Sequence, residues 1–243
     1  KTNLNYNLIK LIDKLRVQNI KEYFLISKEI ILKLETISTK KSLKCSSFLS
    51  KVFFYDKRII HLLLNNFNSA DKRTRKNSIT VISTFGLKNT LPSLMIKYTL
   101  PDFKMKIGIL KVLTLSCQND AFIFRRNILD FVIDALSQKD LTYNLQGFKL
   151  LKELIKYLQR NELICALEIS FMFIFKNNSI ILDCIKLIIN KLGVELMFNY
   201  AIQGLFHASK NVRNKYKEII KFMKEIDEER VNEMFDELNI KEF

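Results

Sequence analysis

This sequence predicts an all-α fold of stacked helix pairs, and three observations predict it. Glycine and proline are scarce, 5 and 2 among 243 residues, where average usage would supply roughly three times as many glycines and several times as many prolines. Apolar residues recur at helical spacing through almost the whole chain. Polar breaks divide that pattern at a nearly constant interval. Hairpins, glycine-rich phosphate loops and β-sandwiches all need turn residues that this chain lacks. With 48% hydrophobic and 27% charged residues, the composition is that of a globular polypeptide and not of a disordered one.

The apolar stripes follow one another in order. Leu4, Leu8, Leu11, Ile12 and Leu15 mark the first, and Ile20, Phe24, Ile30, Ile31 and Leu34 the second. Ile59, Leu62, Leu63 and Phe67 form the next, then Ile107, Leu110, Leu113 and Thr114, then Phe148, Leu151, Leu154, Ile155 and Leu158. Helices this apolar bury more than one side, as in a stacked array. The longest apolar stretch, Leu163 to Phe175, is interrupted by Glu168 and too short to cross a bilayer, so no membrane partner is expected. No secretory signal opens the chain, and a sequence beginning at Lys1 reads as part of a longer polypeptide.

The breaks fall near Lys40, Asp71, Asp102, Asp140, Asn177 and Ser209, separated by 31, 31, 38, 37 and 32 residues. At three of them an Asp or Ser opens a helix and a basic residue follows four positions later: Asp71 with Arg75, Asp102 with Lys106, Ser209 with Arg213. The short acid or hydroxyl caps free N–H groups. The long basic side chain is expected to reach an acid in an adjacent turn. This period and turn chemistry predict antiparallel helix pairs of HEAT or armadillo type, about six of them, in one solenoid over residues 1–224. Residues 225–243 are expected to form an acidic terminal helix or cap.

Forty Lys and Arg against 25 Asp and Glu give a net charge of +15. Eight of the acids lie in 225–243, so residues 1–224 carry 38 basic against 17 acidic residues, a balance of +21. Such a field attracts polyanions, nucleic acid first among them. A plainer reading competes, because only nine of the forty are Arg and the abundance of Lys, Asn and Ile is what AT-rich coding supplies. Cys45, Cys117, Cys165 and Cys184 are far apart and sit among apolar residues. They read as buried thiols in a reducing compartment.

No catalytic residue, cofactor or metal site is expected. His61 and His207 have no Cys or second His nearby, and Walker, Rossmann and nucleophile-elbow patterns are absent. Glu153 and Glu162 are the kind of carboxylate pair that helix surfaces produce routinely. The sharpest charge cluster is Lys72-Arg73-Thr74-Arg75-Lys76, beside Asn65, Asn66 and Asn68. It begins a helix, where basic side chains and backbone N–H groups jointly hold phosphate. Lys104 and Lys106 begin the equivalent helix one unit later, and in a regular array the two starts share an edge, making one basic strip. Arg125 with Arg126 is a weaker third candidate.

Three stretches carry a more specific likeness. Tyr200 to Arg213, with Gln203-Gly204-Leu205-Phe206-His207 followed by Val212-Arg213 and Tyr216, resembles the last well-marked HEAT repeat of the splicing factor 3B subunit 1 family. Leu91 to Tyr98, then Pro101 and Gly108 to Lys111, is similar to an earlier repeat of that family. Leu64-Asn65-Asn66 leading into Lys72 and Arg75 resembles the repeat before it. All three occur in the family's order and span roughly residues 35–225. Lys76 stands where the family has a small apolar residue and Asn68 where it has Lys; the connection from Phe85 to Leu91 is shorter, and residues 159–192 match poorly.

The resemblance implies a nuclear pre-mRNA splicing scaffold of the U2 small nuclear ribonucleoprotein, folded as the C-terminal part of a HEAT superhelix. Such a scaffold closes around the helix that U2 small nuclear RNA forms with the pre-mRNA branch site. By position, Lys72 and Arg75 match family Arg residues. Met105 and Ile109 match small apolar positions near the pocket for the bulged branch adenosine. The expected partners are these RNAs, a small zinc-knot PHD-finger-like subunit and a large β-propeller subunit of the splicing factor 3B complex. The competing expectation is a HEAT adaptor in transport or chromatin that recognises protein alone.

Overall fold

The structure, a computed structural model, describes residues 57–240 except Asn177, with a few helical positions between 18 and 29. The first two apolar stripes, the break near Lys40, Cys45 and Asn177 lie outside the described residues. Among the described residues every regular element is helical, and the fold is all-α of the helical-repeat class. In order these are α1 (Lys57–Asn65), a 3-10 turn (Asn66–Asn68), α2 (Lys72–Ser83), α3 (Leu87–Tyr98) and α4 (Phe103–Ser137). There follow α5 (Leu141–Leu154), a second 3-10 turn (Ile155–Tyr157), α6 (Arg160–Met172), α7 (Ser179–Leu192), α8 (Val194–Gly204), α9 (Lys210–Ile226) and α10 (Glu228–Glu237). The chain divides into two compact units, Lys1–Phe124 and Arg125–Phe243, with the boundary inside α4.

One element departs from the expected pairs. Between Asp102 and Asp140 the chain forms a single helix of 35 residues, with no turn between two shorter ones. The reason is local: from Ile109 to Ser137 there is no glycine or proline to end a helix, and the apolar spacing runs on.

In the first unit α1 packs against α2 and α3. Asp71 caps α2, its carboxylate accepting from the backbone N–H groups of Arg73 and Thr74 and from the Thr74 hydroxyl. Helix α2 is buried on most sides by small residues, and its hydroxyls stay satisfied by its own turns: Thr80 donates to the Lys76 carbonyl and Ser83 to that of Thr80. Asp102 accepts from the Met105 N–H at 3.1 Å and so caps α4. Phe67 packs onto Gly108, where a Cβ would fall 2.3 Å from its ring.

The second unit has two layers. Helix α5 packs on α7 and α7 on α9. Rungs fix the direction of the first pair: Lys176 reaches Asn144 near the start of α5, the Cys184 thiol donates to the Phe148 carbonyl, and Lys191 donates to the Lys156 carbonyl beyond its end. Both helices therefore run the same way. The other layer joins α6 to α8 through the stacked rings of Phe171 and Tyr200, and α8 to α10 through Arg230 with Glu195 and the edge-on pair Phe198 and Phe235. Gly193, at φ 87°, takes the left-handed turn that sends α7 directly into α8. Leu151, Leu154, Leu167, Ile185, Ile188 and Met197 are fully buried, and such burial stabilises by about 1.5–3 kcal/mol per side chain. Val231, Met234 and Phe235 seat the acidic α10 against α8 and α9.

Candidate nucleic-acid interface

The basic helix starts at residues 72–76 and 104–106 lie next to each other in the first unit. The Asn68 side-chain amide donates to the Asp102 carboxylate, tying the turn before α2 to the turn before α4. At the other end of α2, the Ser116 hydroxyl donates to the Ser83 carbonyl at 3.3 Å. Two links so placed make α2 and the first half of α4 neighbours running in the same direction, with their N-termini on one edge.

Along that edge Lys72, Arg73, Lys76 and Lys104 are exposed. Lys106 is half-buried, its ammonium 4.9 Å from the centre of the Tyr98 ring. Arg75 is also half-buried and is engaged otherwise than expected. Its guanidinium donates to the backbone carbonyls of Ser69 at 2.5 Å and Ala70 at 2.8 Å, and not to an acid. Arg213 does the same with the carbonyls of His207 and Ala208, both at 2.7 Å. Two carbonyls converge just ahead of each of these helix starts, and one terminal guanidinium nitrogen, Nη1, donates to both, which explains a long basic side chain four residues after the capping position.

Met105 and Ile109 are core residues, 3% and 0% exposed. They share the inner face of α4 with Leu110 and Leu113 and present no surface at this edge. Exposed apolar side chains there are those of Leu100 and Phe103, which flank Asp102.

Two carboxylates lie among the six basic residues. Asp71 is held below the usual carboxylate range by its hydrogen bonds from the Thr74 hydroxyl and backbone, then from Arg73. Asp102 is lowered chiefly by the Met105 N–H, with further help from Asn68 and Lys104. Both are charged at neutral pH and aim their charge at helix N-termini, leaving a surplus of positive charge along the edge.

The third basic candidate is occupied within the second unit. Arg125 and Arg126 donate to the two oxygens of Glu162 at 3.0 and 3.2 Å. His61 is half-buried in α1, and His207 is exposed with its Nδ1 accepting from the Ser209 N–H at 3.0 Å. Among the described residues there is no group of three or more His, Cys, Asp and Glu placed to hold a metal ion, and no helix long and apolar enough to cross a membrane. Asn68, noted in the sequence as a neighbour of the basic run and as standing where the resembled family has Lys, is the residue that ties the two starts together, and its partner 34 residues on left no local signal.

No family model matches this chain, and no curated protein matches it. Among solved structures, the crystal structure of an engineered protein is similar over 90% of this chain and 97% of that chain, at 10% sequence identity and a TM-score of 0.48.

Proposed function

We propose that this chain is a non-enzymatic helical-repeat scaffold of the splicing factor 3B subunit 1 type, acting in the nucleus. It holds an RNA backbone on the edge formed by the starts of α2 and α4 and docks partner subunits elsewhere. The supporting observation is the Asn68–Asp102 link, because it sets Lys72, Arg73 and Lys76 beside Lys104 on one rim. Shape and charge would do the work: exposed basic side chains neutralise consecutive phosphates and release their counterions. In this reading the cognate RNA is the helix of U2 small nuclear RNA with the branch site, and the partners are the small zinc-knot subunit and the β-propeller subunit. With Met105 and Ile109 in the core, any pocket for the branch adenosine needs walls from elsewhere.

The test replaces the exposed residues and spares Arg75. Lys72→Glu with Lys104→Glu should weaken binding of a branch-helix RNA by about tenfold or more and flatten its salt dependence by about two units of slope. Unchanged affinity in a folded double variant would refute the rim. Recovery of U2 RNA and the zinc-knot subunit with the protein purified from cells tests the assignment to splicing separately.

A further inference from the structure

Charge in the second unit is sorted by layer. Helices α5, α7 and α9, with the 3-10 turn after α5, carry eleven Lys and Arg against four Asp and Glu. Helices α6, α8 and α10 carry two against eight. One layer is thus +7 and the other −6, although the two alternate along the sequence. Biased coding adds lysines without regard to which helix of a pair receives them, so it does not account for this separation.

On the basic layer most of the acids are already matched. Asp183 receives Lys152 at 2.7 Å, Glu218 receives Lys186 at 3.1 Å, and Glu153 receives Lys156 at 2.9 Å. The first two bridge α5 to α7 and α7 to α9, the third is local to the end of α5, and Lys149, Lys221 and Lys191, whose ammonium rests on the Lys156 carbonyl, remain exposed as surplus charge. Lys149 and Lys156 stand two turns apart, about 10 Å along the helix. Neighbouring packed helices lie about 8–10 Å apart. The result is a positive grid three helices wide. Large apolar side chains exposed on these helices are only those of Leu141 and Ile226, at the first position of α5 and the last of α9. A protein partner would call for an apolar centre, and a single strand for exposed aromatic rings on which bases stack. A double-helical phosphate backbone calls for neither.

We infer that the α5–α7–α9 face is a second polyanion-binding surface, fitted to the backbone of a nucleic-acid duplex, with the α6–α8–α10 layer repelling it. The surface stands on residues separate from the rim on α2 and α4, so either can fail alone.

The experiment uses the whole chain and an RNA duplex of about 20 base pairs, with anisotropy titrations at several salt concentrations. Lys149→Gln with Lys191→Gln and Lys221→Gln should weaken binding about tenfold or more and lower the salt slope by two to three, each phosphate contact contributing about one. The Lys72→Glu, Lys104→Glu variant serves as the separate measure of the rim. Circular dichroism checks folding. On the unmodified protein, bound duplex should protect Lys149, Lys191 and Lys221 from acetylation, a readout that needs no variant. Unaltered affinity and slope in the folded triple variant, absence of protection, or equal protection by polyglutamate would overturn the inference.

Discussion

Gly204 lies so close to the ring of Tyr216 that a Cβ on it would fall 2.2 Å from two ring carbons. The ring has little freedom to retreat, being stacked on Phe171 with centroids 5.5 Å apart and planes within 4°. Phe171 is stacked in turn on Tyr200 at 6.2 Å. Gly204→Ala should destabilise the protein by about 1–3 kcal/mol, the usual cost of overpacking. The melting temperature should fall by about 2–4 °C per kcal/mol. An unchanged melting curve would show that the α8–α9 corner has room to spare.

Arg75→Lys separates turn chemistry from ligand chemistry. Lysine keeps the charge but ends in a compact ammonium on a shorter stem, in place of the rigid planar group whose Nη1 meets both carbonyls. The variant should lose about 1 kcal/mol of stability, as for one or two hydrogen bonds, while RNA affinity stays within about twofold because the charge remains. Arg213→Lys should show the same stability loss. A large drop in RNA affinity with unaltered melting would place the Arg75 side chain on phosphate instead.

Burial opposes the charged form of Glu162, yet the Gln159 N–H, Arg126 and Arg125 outweigh it and hold the carboxyl below its usual range. A carboxyl depressed in the folded state stabilises fully above its unfolded value, about 4.3. That contribution is lost as pH falls through the lower folded value. Glu162→Gln should therefore be less stable than the parent at neutral pH by about 1.5–3 kcal/mol, and the gap should shrink as pH falls below the unfolded value and close only below the lower folded one. Urea midpoints across that range measure it; parallel curves would mean that the ion pair contributes nothing.

The thiols should differ in reactivity. Burial pushes the Cys184 thiol up to about 12, and Cys117 is buried as well. Cys165 is only partly covered, though burial and then Glu168 raise it too. Maleimide at neutral pH should label Cys165 slowly and spare Cys117 and Cys184 until urea is added, as read by peptide mapping. Rapid native labelling of Cys184 would contradict its burial on the face of α7 that packs on α5.

Much of the architecture was legible because it is written in local chemistry. Asp71, Asp102 and Asp140 cap helices just where short acids interrupt the apolar stripes. The partner of Arg75 was not legible, since carbonyls that converge at a turn leave no mark in the residue types. The missing turn inside α4 escaped for a different reason: a steady period averages over one irregular unit. The charge sorting between layers was present in the sequence but invisible to a sum over the chain. It emerges only when charges are assigned helix by helix, after the structure has shown which helices are neighbours. Met105 and Ile109 show the reverse case, where a positional likeness suggested a pocket while their spacing with Leu113 already marked a core face.

The polar links between alternate helices share one more property. Asn68–Asp102, Lys152–Asp183, Lys186–Glu218 and Arg230–Glu195 join residues 34, 31, 32 and 35 apart. Each closes a loop of nearly equal length, so each carries nearly the same loss of chain entropy. Contacts this local in sequence favour rapid assembly from several starting points. They also mean that a lesion such as Gly204→Ala loosens its own neighbours first and leaves distant helix pairs to melt on their own terms.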